Sequence, residues 1–203
     1  MTTTDTVRSD QLLGVPHLRK DLGVAIVVVT ALLLGWLLRE ATVNRTIAYQ
    51  DSETGFSLQF PVAWGVADSL QDVMLKVENP NTGSAYKTNL VVEARDLDPQ
   101  NPPTLQEFVD RRVSQKGNLT SYHFLSEKED TVDGEKAREI IYAYAVQPID
   151  QPRRVSLPVV VVAREVIVVG NDRVYYITVA APEEEFAAAS ARLDGILKTV
   201  DIP

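Results

Sequence analysis

Two histidines and no cysteine set the first limit on the chemistry this chain can perform. Without cysteine there is no disulfide, no thiolate nucleophile, no Cys-ligated zinc or iron–sulfur cluster, and no acylated cysteine to anchor a lipoprotein. His17 and His123 are too few for a multi-histidine metal centre within one chain. A Ser/His/Asp triad would have to use His123, in Ser121-Tyr122-His123-Phe124, yet the chain contains no G-x-S-x-G. It also lacks the glycine-rich phosphate loops GxxxxGK[ST] and GxGxxG. His123 is therefore read as a strand histidine on a half-exposed face. Glu127, Glu129, Asp130 and Asp133 crowd around a turn, but not in the D-x-[DN]-x-[DN]-G spacing that wraps calcium. They read as a solvated hairpin, and Glu183–Glu185 as acids favoured by a helix N-terminus. No spacing picks out a pair of carboxylates for glycoside hydrolysis. The reading assigns no catalytic, cofactor-binding or metal-ligating residue, and no cofactor.

Two groups of residues suggest contacts instead. Pro148-Ile149-Asp150-Gln151-Pro152-Arg153-Arg154 lies between two long β-type runs and ends in a basic pair on an otherwise acidic region. Pro148, Gln151, Arg153 and Arg154 are candidates for touching a protein partner or anionic head groups, against the plain alternative of a polar loop. Ala31 and Gly35, four apart in an apolar run, would let a second helix approach closely.

That apolar run sets the expected address. Leu22–Leu38 is 17 residues without a charge, about 25 Å as a helix and at the short end of a bilayer crossing. It has no polar face, unlike a core helix of a globular protein. Arg39-Glu40-Ala41-Thr42 follows, with no small-x-small cleavage site, so the run reads as an uncleaved signal anchor. Trp36 suits the far interface, and Arg39 can extend outward from the helix end. Arg8, Arg19 and Lys20 precede the run while Arg39 and Arg45 follow it, which favours a cytoplasmic N-terminus and a folded domain on the periplasmic or extracellular side. The expected organisation is a cytoplasmic tail over 1–20, a transmembrane helix over 21–39, a linker over 40–45 and an extracytoplasmic domain over 46–203. The chain holds 20 Lys+Arg against 28 Asp+Glu, net -8, and nothing in that balance suits a nucleic-acid partner. The membrane itself and other membrane-protein subunits are the expected partners.

Periodicity supplies the elements of the 46–203 region. Thr46–Gln50, Gly55–Phe60, Val73–Glu78 and Asn89–Arg95 read as strands, with Phe56, Leu58 and Phe60 alternating onto one face. Thr104-Leu105-Gln106-Glu107 is a capping box, opening a helix with Leu105, Phe108, Val109 and Val113 on one side and Gly117 at its end. Tyr122–Lys128 and Glu135–Val146 flank an Asp133-Gly134 hairpin signal. Val155–Val169 and Arg173–Ala181 are two more strands across Gly170-Asn171-Asp172. A final helix starts after Pro182 and places Phe186, Ala189, Leu193, Ile196, Leu197 and Val200 at helical spacing. Hairpin-joined strands with few helices between them indicate α+β, an antiparallel sheet with helices packed on it.

Gly55-Phe56-Ser57-Leu58-Gln59-Phe60-Pro61-Val62-Ala63-Trp64 resembles the GFSIxYPxxW opening of PsbP-like and Mog1-like domains. Arg173–Pro182, followed by the helix ending in Ile196-Leu197-Lys198-Thr199-Val200, resembles their last strand and helix. The resemblance covers about 46–203. It implies an α-β-α sandwich and a non-enzymatic role: PsbP is an extrinsic subunit of photosystem II, Mog1 binds a Ran-type GTPase, and bacterial members are often lipoproteins or singly anchored. The expectation is a membrane-anchored interaction module, an accessory or assembly subunit of a larger membrane complex, which fold analogy alone would make an energy-transducing one. The alternatives are an anchored small-ligand or metal-binding sensor, which needs a large apolar pocket between sheet and helix with a few convergent polar groups, and a carboxylate hydrolase, which needs close acidic pairs with raised pKa in a cleft.

Overall fold

The computed structural model describes residues 15–43, 45–68, 73–98, 100–147 and 157–203. They fall into two units, 1–44 and 45–203. The first is helix α1, Val15–Val43, which continues through most of the stretch expected as linker. From Leu22 to Leu38 every side chain is exposed. Ala31 and Gly35 lie in this stretch, and a Cβ at Gly35 would meet nothing within 4 Å. Among the described residues no helix is long and apolar enough to cross a membrane.

The second unit starts with a hairpin, β1 Thr46–Gln50 and β2 Ser57–Pro61, paired from Thr46↔Pro61 to Gln50↔Ser57. Then come β3 Gly65–Val66, β4 Val73–Glu78, β5 Asn89–Asp96, helix α2 Leu105–Lys116, β6 His123–Val132, β7 Glu135–Val146, β8 Val159–Val169 and β9 Arg173–Pro182. A turn of 3₁₀ helix, Glu183–Glu185, leads into α3, Phe186–Leu197. Strands β3 to β9 form one antiparallel sheet in the order β3-β4-β5-β9-β8-β7-β6.

Each connection has a local cause. Asp133 and Gly134, at φ 52° and 82°, make the two-residue β6–β7 turn that the Asp-Gly signal predicts. Thr104 accepts from the Glu107 amide while the Glu107 carboxylate accepts from the Thr104 amide, the capping box expected for α2. Side-chain alternation then sorts the sheet into two cores. On one face Leu75, Val77, Leu90, Val92, Val166, Val168, Tyr175, Ile177 and Val179 pack under Ala189, Leu193 and Ile196 of α3, together with Leu58 and Phe60 of β2 and Phe56 just before it. On the other, Ile140, Tyr142, Val161, Ala163, Ile167, Val174, Tyr176 and Ala180 pack under Phe108 and Val109 of α2. Trp64 is buried in the α3-side core, its indole N–H without a partner among the described residues.

The observed bounds differ from expectation in instructive ways. Strand β6 continues to Val132, four residues beyond Lys128, because its polar residues face solvent as a sheet edge and carry no apolar alternation to count. Strand β8 is described from Val159, and 155–156 lie outside the described residues. The short β3, two exposed residues pairing with Val77 and Glu78, has no sequence signal.

Candidate functional site

At the centre of β8 the apolar run Val159–Val169 is broken by Arg164-Glu165, a charged pair in a strand buried on both faces. Adjacent strand residues point to opposite faces, so each charge enters a different core. Arg164 goes to the α3 side. It donates Nε to Glu139 at 2.7 Å, Nη1 to the Ser190 carbonyl and hydroxyl at 3.0 Å, and pairs with Asp194 at 2.7 Å. Lys128 also reaches Glu139, at 3.2 Å.

Glu165 goes to the α2 side and is fully buried. Arg112 of α2 donates Nε to it, and grips Glu93 of β5 with both terminal nitrogens at 2.6 and 3.1 Å. The Tyr142 hydroxyl donates to the second Glu165 oxygen at 3.1 Å. The Arg112 guanidinium also lies 4.6 Å from the centre of the Tyr176 ring. Burial alone would raise the Glu93 pKa, but the hydrogen bonds and charge of Arg112 outweigh it and hold Glu93 below the usual carboxylate range.

Helix α2 covers only part of this face. Beyond its last turn lies a cleft of about 530 Å³, the volume of a small-ligand site. Its floor is sheet: Val91 and Glu93 of β5, Thr178 and Ala180 of β9, Tyr142, Tyr144 and Val146 of β7. Lys116 of α2 forms one wall, and Tyr86 and Lys87 of the β4–β5 connection form another. Strand order explains the assembly, since β5, β9, β8 and β7 are neighbours despite their separation in the chain.

Donors outnumber acceptors in the cleft. The Tyr86 and Tyr144 hydroxyls are 3.1 Å apart, and Tyr86 also accepts from Asn89 Nδ2 at 3.0 Å. Two phenols sharing one hydrogen bond leave one O–H proton over. Burial raises the Tyr142 and Tyr144 pKa values well above the ordinary phenol, so both stay protonated. The Thr178 hydroxyl is buried with no partner among the described residues. Lys116 makes no ion pair among the described residues, and its ammonium lies 5.9 Å from the Tyr142 ring centre. Burial lowers its pKa, partly offset by the Glu165 and Glu93 charges. The carboxylates nearby are engaged: Glu93 holds Arg112, and Glu78 pairs with Lys76 at 2.8 Å.

Pro148, Gln151, Arg153 and Arg154 lie outside the described residues; their neighbour Gln147 lines the cleft. Ala31 and Gly35 belong to α1, the other unit. His123 is exposed on β6. Sequence reading missed Arg112, Glu165, Lys116 and the tyrosines. The one available signal was Arg164-Glu165 within a valine-rich run.

No family model and no curated protein matches the sequence. Solved structures do match in shape. The cyanobacterial PsbP of Synechocystis superposes with a TM-score of 0.56 at 11% identity, covering 78% of this chain and 92% of that one. The fold is PsbP/Mog1-like. LpqN of Mycobacterium tuberculosis, a protein involved in cell envelope biogenesis, gives 0.57 at 10% identity, over 78% of this chain and 91% of its own. A Pseudomonas aeruginosa protein of unknown function gives 0.51 at 15%, over 79% and 98%. At these identities the PsbP-like likeness is one of fold.

Proposed function

We propose that the chain is a non-catalytic accessory or assembly subunit of a larger membrane complex, tethered through α1 with its PsbP-like domain outside the cytoplasm. The observation that carries this reading is the stretch Leu22–Leu38, apolar and exposed on every side of its helix. Such a helix needs an apolar environment around its whole circumference, which lipid supplies. The folded domain begins at Thr46, directly after α1 ends at Val43, so a tether would hold it beside the bilayer and raise its effective concentration for membrane partners. The arginine and lysine distribution around the run supports the orientation. The PsbP-like fold supports an accessory role by analogy, as does the envelope role of LpqN. Ala31, Gly35 and the Pro148–Arg154 segment are the proposed contacts.

The deciding experiment is mild detergent extraction of native membranes, capture of this chain and mass spectrometry of what stays bound. A stoichiometric set of membrane subunits is expected. Recovery in the soluble fraction, or of the chain alone at monomer size, overturns the subunit reading.

A second reading is favoured by a different observation. The cleft over β5, β9 and β7 supports an anchored ligand-binding domain, being a pocket beside sheet and helix with convergent polar groups, although its lining is mixed polar and apolar where a large apolar pocket was expected. The hydrolase reading gains no such support, because Glu93 is held low by Arg112 where a general acid needs a raised pKa.

A further inference from the structure

We propose that the cleft beside the end of α2 binds a small acidic ligand, an oxyanion carried on an apolar body, with Lys116 as the charge partner. The proposal rests on the reading of this cleft as a binding site and names what it takes. A cleft of about 530 Å³ has room for a ring or short chain plus an acid group. Val91, Val146 and the Tyr144 ring, each half-buried at the cleft, offer apolar and aromatic surface for the body. The polar groups around them want acceptors. Lys116 has three N–H donors and no ion pair among the described residues, the Tyr86–Tyr144 pair has one O–H to spare, and the nine-tenths-buried Thr178 hydroxyl lacks any partner there. A carboxylate or phosphate presents several acceptor oxygens and complements this set, and its charge is opposite to that of Lys116. A cationic ligand meets the reverse situation. Both oxygens of Glu93 are taken by Arg112, Glu165 is enclosed, and Glu78 is held by Lys76.

The test is calorimetric titration of the full chain in mild detergent with four probes: phenyl phosphate, phenylacetate, inorganic phosphate and benzyl alcohol. Saturable binding of at least one of the two aryl acids is expected, tighter than either inorganic phosphate or benzyl alcohol. Lys116→Met should weaken it by about 10-fold or more, the loss of a hydrogen bond to a charged group. Thr178→Val should weaken it by a few-fold, and Lys198→Met, an exposed lysine after α3, should change nothing. Competition by short-chain phosphatidylglycerol would assign the natural acid to lipid headgroups, and lack of competition would assign it to a soluble acid. Benzyl alcohol binding as well as the aryl acids, or aryl-acid binding unchanged by Lys116→Met, overturns the oxyanion proposal while the cleft stays a binding site. No binding of any probe overturns both.

Discussion

The two faces of the central sheet solve one problem in opposite ways. Each receives a buried charge from the same dipeptide in β8, and each answers it from the helix above. On the α3 face the strand supplies the cation, Arg164, and the helix the acid, Asp194; on the α2 face the strand supplies the acid, Glu165, and the helix the cation, Arg112. The α3 network opens to water, since Asp194 is 56% exposed and Lys128 59%. The α2 network is closed, with Glu165 at 0% and Arg112 at 5%. The α3 face, with Phe56, Phe60, Trp64 and Tyr175 in its core, is covered by α3 and β2, and its own cleft of about 450 Å³, beside the end of α3, is lined by Asp130, Asp133, Asp194 and Lys198; the α2 face keeps a tyrosine-lined cleft beyond the end of α2.

Truncating the two arginines measures this difference directly. Arg112→Met removes the ion-pair partner of the buried Glu165, and should cost about 3–5 kcal/mol, the penalty for breaking a buried pair. Arg164→Met leaves Asp194 to water and Glu139 to Lys128, so its cost should be clearly smaller. Chemical denaturation of both variants decides; equal losses would break the comparison. Leu193→Ala, a fully buried site where α3 meets the sheet, should cost about 2–4 kcal/mol by the same measurement, because a packed face relaxes little into a cavity. A loss near zero would mean that the α3 face is as loosely filled as the other.

Acid titration sharpens the contrast. Glu93 has a lowered folded-state pKa, so its pairing with Arg112 stabilises the fold above the unfolded carboxylate value and is lost as pH falls through the folded one. Glu93→Gln should flatten this acid limb of the stability curve, and a limb unchanged in the variant would break that assignment. The smallest effect expected is at the start of α2. Thr104→Ala removes the capping hydroxyl and should cost about 1 kcal/mol, readable as a small shift in denaturation midpoint with unchanged slope.

Much of the fold was legible because its signals are local. The capping box at Thr104 and Glu107, the Asp133-Gly134 turn and the apolar spacing of α3 each depend on residues within a turn or two of one another. The strands that alternate, such as Phe56-Leu58-Phe60, could be read for the same reason. The site was not legible, because it is made by strand order. Tyr86, Lys116, Tyr144 and Thr178 meet only because β9 inserts between β5 and β8, and nothing in their spacing announces that. Arg164-Glu165 could be seen as an interruption, but its meaning depends on Arg112 and Asp194, on two different helices. Edge strand β6 shows the converse: solvated on its outer residues, it pairs with β7 along its length, with one register shift between Phe124 and Ser126, and has little hydrophobic pattern.

The strand order also has a consequence for the sequence of events in folding. Strands β6, β7, β8 and β9 form a meander in which each pairs with the next across a short connection or, between β7 and β8, a single longer one. Loop closure there costs little, and the ladder can zip from one turn. Strand β5 must wait: its only route into this sheet is β9, with three strands and a helix lying between them along the chain. The β1–β2 hairpin waits longer still, since Ser57 exchanges both backbone hydrogen bonds with Asp201 and the Gln59 amide donates to Thr199. During synthesis the first strands of this domain would therefore emerge long before the segments that capture them. The meander is a template: the β3–β5 strands can join it only once β9 is made, and the β1–β2 hairpin only once the tail after the last helix is available to close the molecule.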